Sequence, residues 1–252
     1  MSERTCLPVF STHHYDQPII THLTSARGIE GLRNTITYRS DVATAIFDFE
    51  VKVTAGRGSF IAGQSMRQLR AILNCLTNVK SLILQLPPSW ARLQVLPRAD
   101  VYSNLVLFKA NIPHTALVSF LQNHPHIEIL TLGPCNANAD GGPCPLSDIT
   151  NSHIRALREL TCPPSCVRAV AQGSQEVGKL FATYDGIQGN IFPICKLLDF
   201  NRIWPSANVT ILHLDYDHTA VRLLKRIAAA APGLISLKLT ESKYSNEVCQ
   251  SF

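Results

Sequence analysis

The sequence predicts an α/β solenoid, a parallel sheet laid down one strand at a time with a helix after each strand. Three observations carry this. An aliphatic residue, an apolar residue three further on and another two after that recur six times. The copies are Val79-Leu82-Leu84, Leu105-Phe108-Ala110, Ile127-Leu130-Leu132, Leu157-Leu160-Cys162, Val209-Leu212-Leu214 and Leu234-Leu237-Leu239. Their first residues lie 26, 22, 30, 52 and 25 positions apart, and 52 is twice 26. Between the copies, apolar residues return at the spacing of a helix.

Residues 1–40 carry no strong period and read as an irregular N-terminal segment; 41–252 read as a single array. Phe47, Phe49, Val51 and Val53 alternate with Asp48, Glu50, Lys52 and Thr54, a half-exposed strand that ends at the turn Gly56-Arg57-Gly58. Met66, Leu69, Ile72, Leu73 and Leu76 form a helical stripe before the strand Val79 to Gln85. Ala116, Leu117, Phe120 and Leu121 mark a short helix before Ile127 to Leu132. Asn136 to Pro145 is a turn-rich insertion. From 163 to 208 the unit is irregular: Val177-Leu180-Ala182 is a candidate strand, weakened by Gly173, Gly178, Gly186 and Gly189. After the strand Val209 to Leu214, Asp217 is placed to cap a helix carrying Ala220, Val221, Leu224, Ile227, Ala228 and Ala231. Pro232-Gly233 ends it, and Leu234 to Leu239 is the last strand.

A period in the twenties around L-x-x-L-x-L is the signature of a leucine-rich repeat. The expected fold is therefore an irregular leucine-rich-repeat solenoid, with a parallel sheet on the concave side and helices on the convex side. It is irregular because the consensus wants Asn or Cys three residues after the last leucine, and only Cys135 complies. Pro87, Pro113, Ser165, Asp217 and Ser242 stand there in the other units. Strand side chains alternate between faces, so the residues between the inward leucines point out. Ile83, Lys109, Thr131, Thr161, His213 and Lys238 are the candidate protein-binding residues on that concave face. Their mixed chemistry suits a protein surface better than a catalytic pocket.

Composition narrows the function classes. Twenty-three basic and 18 acidic residues leave a net charge of +5, spread in small groups such as Arg155, Arg158 and Arg168. Nucleic-acid binding needs a concentrated basic stripe, which is not what this pattern predicts. The most apolar stretch, Ile227 to Ile235, is broken by Pro232 and Gly233, so no membrane span is expected. MSERTCLPVF runs into polar STHHYDQ rather than an apolar leader core, which predicts a cytoplasmic or nuclear protein. Its eight cysteines are then expected to be reduced.

Several chemical motifs are approached and missed. Gly173-Ser174-Gln175-Glu176-Val177-Gly178-Lys179-Leu180 matches a phosphate loop until Leu180 replaces the hydroxyl that would hold magnesium. Cys135, Cys144, Cys162 and Cys166 fall as C-x8-C and C-x3-C, which is not the paired-knuckle spacing of structural zinc. Cys162 sits at an inward strand position, where a thiol packs as a small apolar group. His13-His14 and His124/His126 have no matching ligands nearby in sequence, and a surface polar role is expected for the second pair. The reading assigns no catalytic, cofactor-binding or metal residue. Its alternatives to a non-catalytic interaction module are an enzyme with an unrecognised site in residues 173–189, and a decayed or truncated repeat remnant.

Three stretches carry a resemblance. Phe120-Leu121-Gln122-Asn123-His124-Pro125-His126-Ile127-Glu128-Ile129-Leu130-Thr131-Leu132 is similar to a unit from the leucine-rich-repeat-like C-terminal regions of fungal F-box proteins. Leu157 to Pro164 and Ala228 to Leu234 resemble the same group, and the likeness spans roughly residues 64–252 at the level of a repeat motif. It implies a substrate receptor of a cullin–RING ubiquitin ligase, whose repeat region captures the protein to be ubiquitinated. In that family an N-terminal F-box binds the ligase adaptor. Here Leu7-Pro8 leads into the non-helical Ser11 to Pro18, so adaptor binding is expected only if an F-box is supplied from elsewhere.

Overall fold

In the computed structural model, residues 19–53, 62–91, 95–96, 102–135, 143–149, 154–171, 176–183, 208–216 and 222–241 are described. The chain divides into two compact units, 1–105 and 106–252.

The first unit begins with β1 (Ile19–Leu23), α1 (Ala26–Tyr38), α2 (Ser40–Ala45) and β2 (Ile46–Lys52). It continues with α3 (Ala62–Cys75), β3 (Ser81–Gln85) and the short α4 (Pro88–Ala91). β1 pairs with β2 and β2 with β3, all parallel. Part of the segment expected to be irregular is therefore a strand and a helix. Ser25 caps α1, its Oγ accepting from the Gly28 amide at 3.1 Å, and Ile29, Leu32 and Ile36 form the buried stripe. The inward residues of β2 are Ile46, Phe49 and Val51, which share the triplet spacing and are all fully buried. In α3 the expected stripe of Met66, Leu69, Ile72, Leu73 and Leu76 is buried throughout.

The second unit holds β4 (Leu107–Ala110), α5 (His114–Gln122), β5 (Ile129–Leu132), the 3-10 turn Pro145–Asp148, β6 (Glu159–Cys162) and α6 (Pro164–Ala171). β7 (Lys179–Ala182), β8 (Ile211–Tyr216), α7 (Leu223–Ala230) and β9 (Ser236–Glu241) follow. Each strand pairs parallel with the next, from β4 to β9 in chain order. That order follows from the connections: parallel neighbours need a crossover, and the intervening helix or loop supplies it. β7 fills the double interval between Leu157 and Val209, with Val177, Leu180 and Ala182 all buried.

Registry makes the core continuous. Leu130 pairs with Leu160, Leu160 with Leu180, Leu180 with Leu212 and Leu212 with Leu237. Equal side chains thus stack in a buried inward row from β5 to β8, while Leu237 of β9 is 37% exposed; Phe108 of β4 meets Phe120 of α5 at a ring separation of 4.7 Å. Two details differ from the sequence reading. In α7 the buried residues are Leu223, Ile227 and Ala230, while Leu224 is 63% exposed. The helix is rotated relative to the stripe drawn through Leu224 and Ala228. In addition, His124 is not a surface group: it is buried, its Nδ1 lies 2.6 Å from the Phe120 carbonyl, and its ring stacks on Phe120. The expected cap at Asp217 lies outside the described residues.

Candidate functional site

Two places in the second unit gather chemistry. The first is the outward face of the sheet. The backbone register lines up Lys109 with Thr131, Thr131 with Thr161, Thr161 with Phe181, Phe181 with His213 and His213 with Lys238. Five of the six candidate residues therefore form one row across six strands. Phe181 completes the row; the sequence missed it because β7 was obscured by glycines. Its ring meets that of His213 edge-on, with centroids 4.6 Å apart. Adjacent strands lie about 4.8 Å apart, so the row is about 24 Å long.

A parallel row runs beside it through Leu107, Ile129, Glu159, Lys179, Ile211 and Ser236. Lys179 donates from Nζ to the Glu159 carboxylate at 3.2 Å. Lys179 opens a strand and is held by a carboxylate, whereas a phosphate loop would place it at a helix start, in keeping with the incomplete motif. Gly173, Ser174 and Gln175 of that motif, and most of the stretch 173–189, lie outside the described residues. Ile83, the sixth candidate, stands in the first unit. There it pairs with Glu50, which pairs in turn with His22. Both His22 and Lys52 contact the Glu50 carboxylate. The Lys52 ammonium, then His22, holds the Glu50 carboxyl below its usual range.

The second place is buried. His114, Cys135, Cys144 and Cys166 bring their ligand atoms within 4.8 Å of one another, and all four residues are buried. His114 Nδ1 lies 3.3 Å from the Cys144 sulfur and 3.6 Å from that of Cys166. The four arrive on separate elements. His114 is the first residue of α5, behind Pro113, whose missing N–H costs nothing at a helix start. Cys135 follows β5, Cys144 precedes the 3-10 turn, and Cys166 lies in the first turn of α6.

The surroundings fix the imidazole. His114 Nε2 is 3.1 Å from the Gly133 carbonyl, which can only accept, so Nε2 carries the proton. Nδ1 then presents its lone pair to the sulfurs. Gly133 is required for this approach: a Cβ there would lie 2.7 Å from the Asn111 Cα. The Gly133 amide also donates to the Ala110 carbonyl at 2.8 Å, tying the turn after β5 to the end of β4. The Leu146 amide donates toward the Cys144 sulfur.

Hydrogen bonding among the three sulfurs favours a thiolate at one of them, lowering the pKa of Cys135 and raising those of Cys144 and Cys166. Cys162, the fourth member of the set considered from sequence, is a separate buried thiol raised by desolvation. Three of the four cysteines whose spacing did not suggest zinc, Cys135, Cys144 and Cys166, thus meet here with a histidine that the sequence did not single out, while Cys162 stands apart.

No family model matches the chain, and neither does any curated protein. The outward rows offer two apolar flanks, an aromatic edge and separated cations. The buried cluster offers soft sulfur and imidazole donors with no face toward solvent. No helix among the described residues is long and apolar enough to cross a membrane.

Proposed function

We propose that this chain is a non-catalytic protein-interaction module that grips its partner on the outward face of the second unit's sheet. The observation that carries the reading is the in-register row Lys109, Thr131, Thr161, Phe181, His213 and Lys238. A row of side chains on six paired strands, half-exposed from Lys109 to His213 and exposed at Lys238, stands on a rigid backbone, so little entropy is lost when a partner settles on it. Phe181, with Ile129 and Ile211 in the neighbouring row, gives an apolar centre, and Lys109 and Lys238 put a cation at either end. An extended or helical segment with apolar side chains between two acidic groups fits this layout.

The fold supports a leucine-rich-repeat-like solenoid, because seven copies of the inward triplet supply the buried positions of successive strands, while the last, Leu234-Leu237-Leu239, is only partly covered. The likeness of Phe120 to Leu132 to the repeat regions of fungal F-box proteins makes the captured partner a ubiquitination substrate. The ligase adaptor would join only through an F-box supplied separately. The burial of the cysteine–histidine cluster agrees with the non-catalytic reading, since a substrate has to reach the groups that act on it.

The test is capture from cell extract by the immobilised chain, comparing Lys109→Glu/Lys238→Glu and Phe181→Ala with the exposed α6 variant Arg168→Glu. Proteins lost from the first two and kept by the third, with melting temperatures unchanged, are the expected result. Identical capture by all variants would remove the face assignment.

A further inference from the structure

We propose that His114 Nδ1 and the sulfurs of Cys135, Cys144 and Cys166 bind one zinc ion in a closed, structural site. Zinc takes sulfur at about 2.3 Å and histidine nitrogen at about 2.0 Å in tetrahedral geometry, which puts ligand atoms about 3.5–3.8 Å from each other. The separations of 3.3 and 3.6 Å from His114 Nδ1 to Cys144 and Cys166 fall around that value. The whole set lies within 4.8 Å, the size of a single-ion shell. A multi-iron cluster would spread its ligands further apart. Three thiolates and an imidazole in a tetrahedron favour zinc over the hard cations, which prefer oxygen.

Three further features belong to a metal centre. His114 is held in the tautomer that leaves Nδ1 free to ligate, by a hydrogen bond from Nε2 to a backbone carbonyl, the usual outer-shell partner of a zinc-bound histidine. Zinc with three thiolates carries one net negative charge, and α5 and α6 both point their N-termini at it, where the helix dipole is positive. The Leu146 amide adds a donor to the Cys144 sulfur. All four positions are filled by protein and buried, so no position remains for water or substrate, and the ion serves stability rather than catalysis.

The placement explains an oddity of the repeat. His114, Cys135 and Cys166 stand four, three and four residues after the last inward residues of β4, β5 and β6, namely Ala110, Leu132 and Cys162. A regular repeat keeps its ladder of Asn or Cys side chains at the third of these residues, so Cys135 stands at the ladder position and His114 and Cys166 one residue beyond it. In these three consecutive units a shared ion replaces the ladder, with Cys144 of the insertion as the fourth ligand.

The experiment uses the full chain, purified under reducing conditions without chelator. Elemental analysis is expected to find about one zinc per chain. Cobalt exchange is expected to give the ligand-field and thiolate charge-transfer bands of a tetrahedral sulfur-rich site. Cys135→Ser, Cys166→Ser and His114→Gln should each lose the metal, while Cys75→Ser and Cys162→Ala keep it. If the ligand variants fail to fold, the wild-type metal content, its cobalt spectrum and the fall of its melting temperature with chelator decide the matter. A folded chain with less than about a tenth of an equivalent of zinc after zinc addition would overturn the proposal. So would a denatured mass showing a disulfide among these cysteines, or full zinc retention by the ligand variants.

Discussion

The imidazole of His114 reaches across from the start of α5 to the Gly133 carbonyl beyond β5, at 3.1 Å. This bond ties two neighbouring repeats together just outside the sheet, and it depends on a residue with no side chain. Gly133→Ala would drive a methyl group to 2.7 Å from the Asn111 Cα, which is backbone and cannot swing aside. The turn must shift, carrying the carbonyl away from His114. The expected loss is about 1–3 kcal/mol of stability, read from urea denaturation with an unchanged m-value. An undisturbed midpoint would show that the turn relaxes without cost.

The two faces of β6 should respond differently to truncation. Leu160 is fully buried between Leu130 and Leu180, so Leu160→Ala should cost about 2–5 kcal/mol through lost burial and a cavity. Thr161 beside it points outward, and Thr161→Ala should stay within about 0.5 kcal/mol. Paired denaturation curves test this directly; a larger loss from Thr161→Ala than from Leu160→Ala would mean that the face assignment of the strand is inverted.

Tyr102 is almost wholly buried in the first unit and donates its hydroxyl to the Leu73 carbonyl at 2.7 Å. Burial raises the phenol pKa well above its usual value, so it remains a donor across the accessible pH range. Tyr102→Phe keeps the ring and removes the bond, leaving that carbonyl short of a partner. The expected cost is about 1–3 kcal/mol, measurable as a lowered melting temperature with native circular dichroism.

Glu50 gives a pH dependence whose sign is fixed. Its carboxyl pKa is lowered in the fold by Lys52 and then His22. Such a group contributes stability above its unfolded pKa, and the contribution is lost as pH falls through the folded pKa. Glu50→Gln should therefore cost about 0.5 kcal/mol near neutrality and nothing once both pKa values are passed in acid. Melting curves of wild type and variant are expected to converge on acidification; a gap that widens would reverse the assignment.

Much of this fold was legible because the inward triplet combines two signals. Its last two positions share the strand's period of two, and its first marks the entry turn, as in Ile127, Leu130 and Leu132. β2 obeys the same rule through Ile46, Phe49 and Val51, but the neighbouring Phe47 and Val53 made a simple alternation look equally good. β1 was invisible because Thr21 occupies the position that Phe49 fills in the paired strand. A single polar residue there erased the pattern in a strand of five residues. The outward row was readable wherever the strand was, which is why only Phe181 escaped.

The buried cluster was unreadable for another reason. Ligand motifs are recognised when their residues are close in sequence, whereas His114 and Cys166 are 52 positions apart. A parallel sheet whose strands pair in chain order converts distance along the chain into adjacency across strands. The signal that would have found the site is positional: a polar or thiol side chain three or four residues past the final inward residue in each of three successive units.

The 3-10 turn Pro145–Asp148 packs against both α5 and α6, helices that belong to repeats on either side of its own. Repeat arrays normally open by fraying, because each unit leans only on the next. A wedge that touches both outer members of a triplet removes that option locally. β4 to β6 should consequently exchange their amide hydrogens as one block, and a break in the array is expected to halt at its borders.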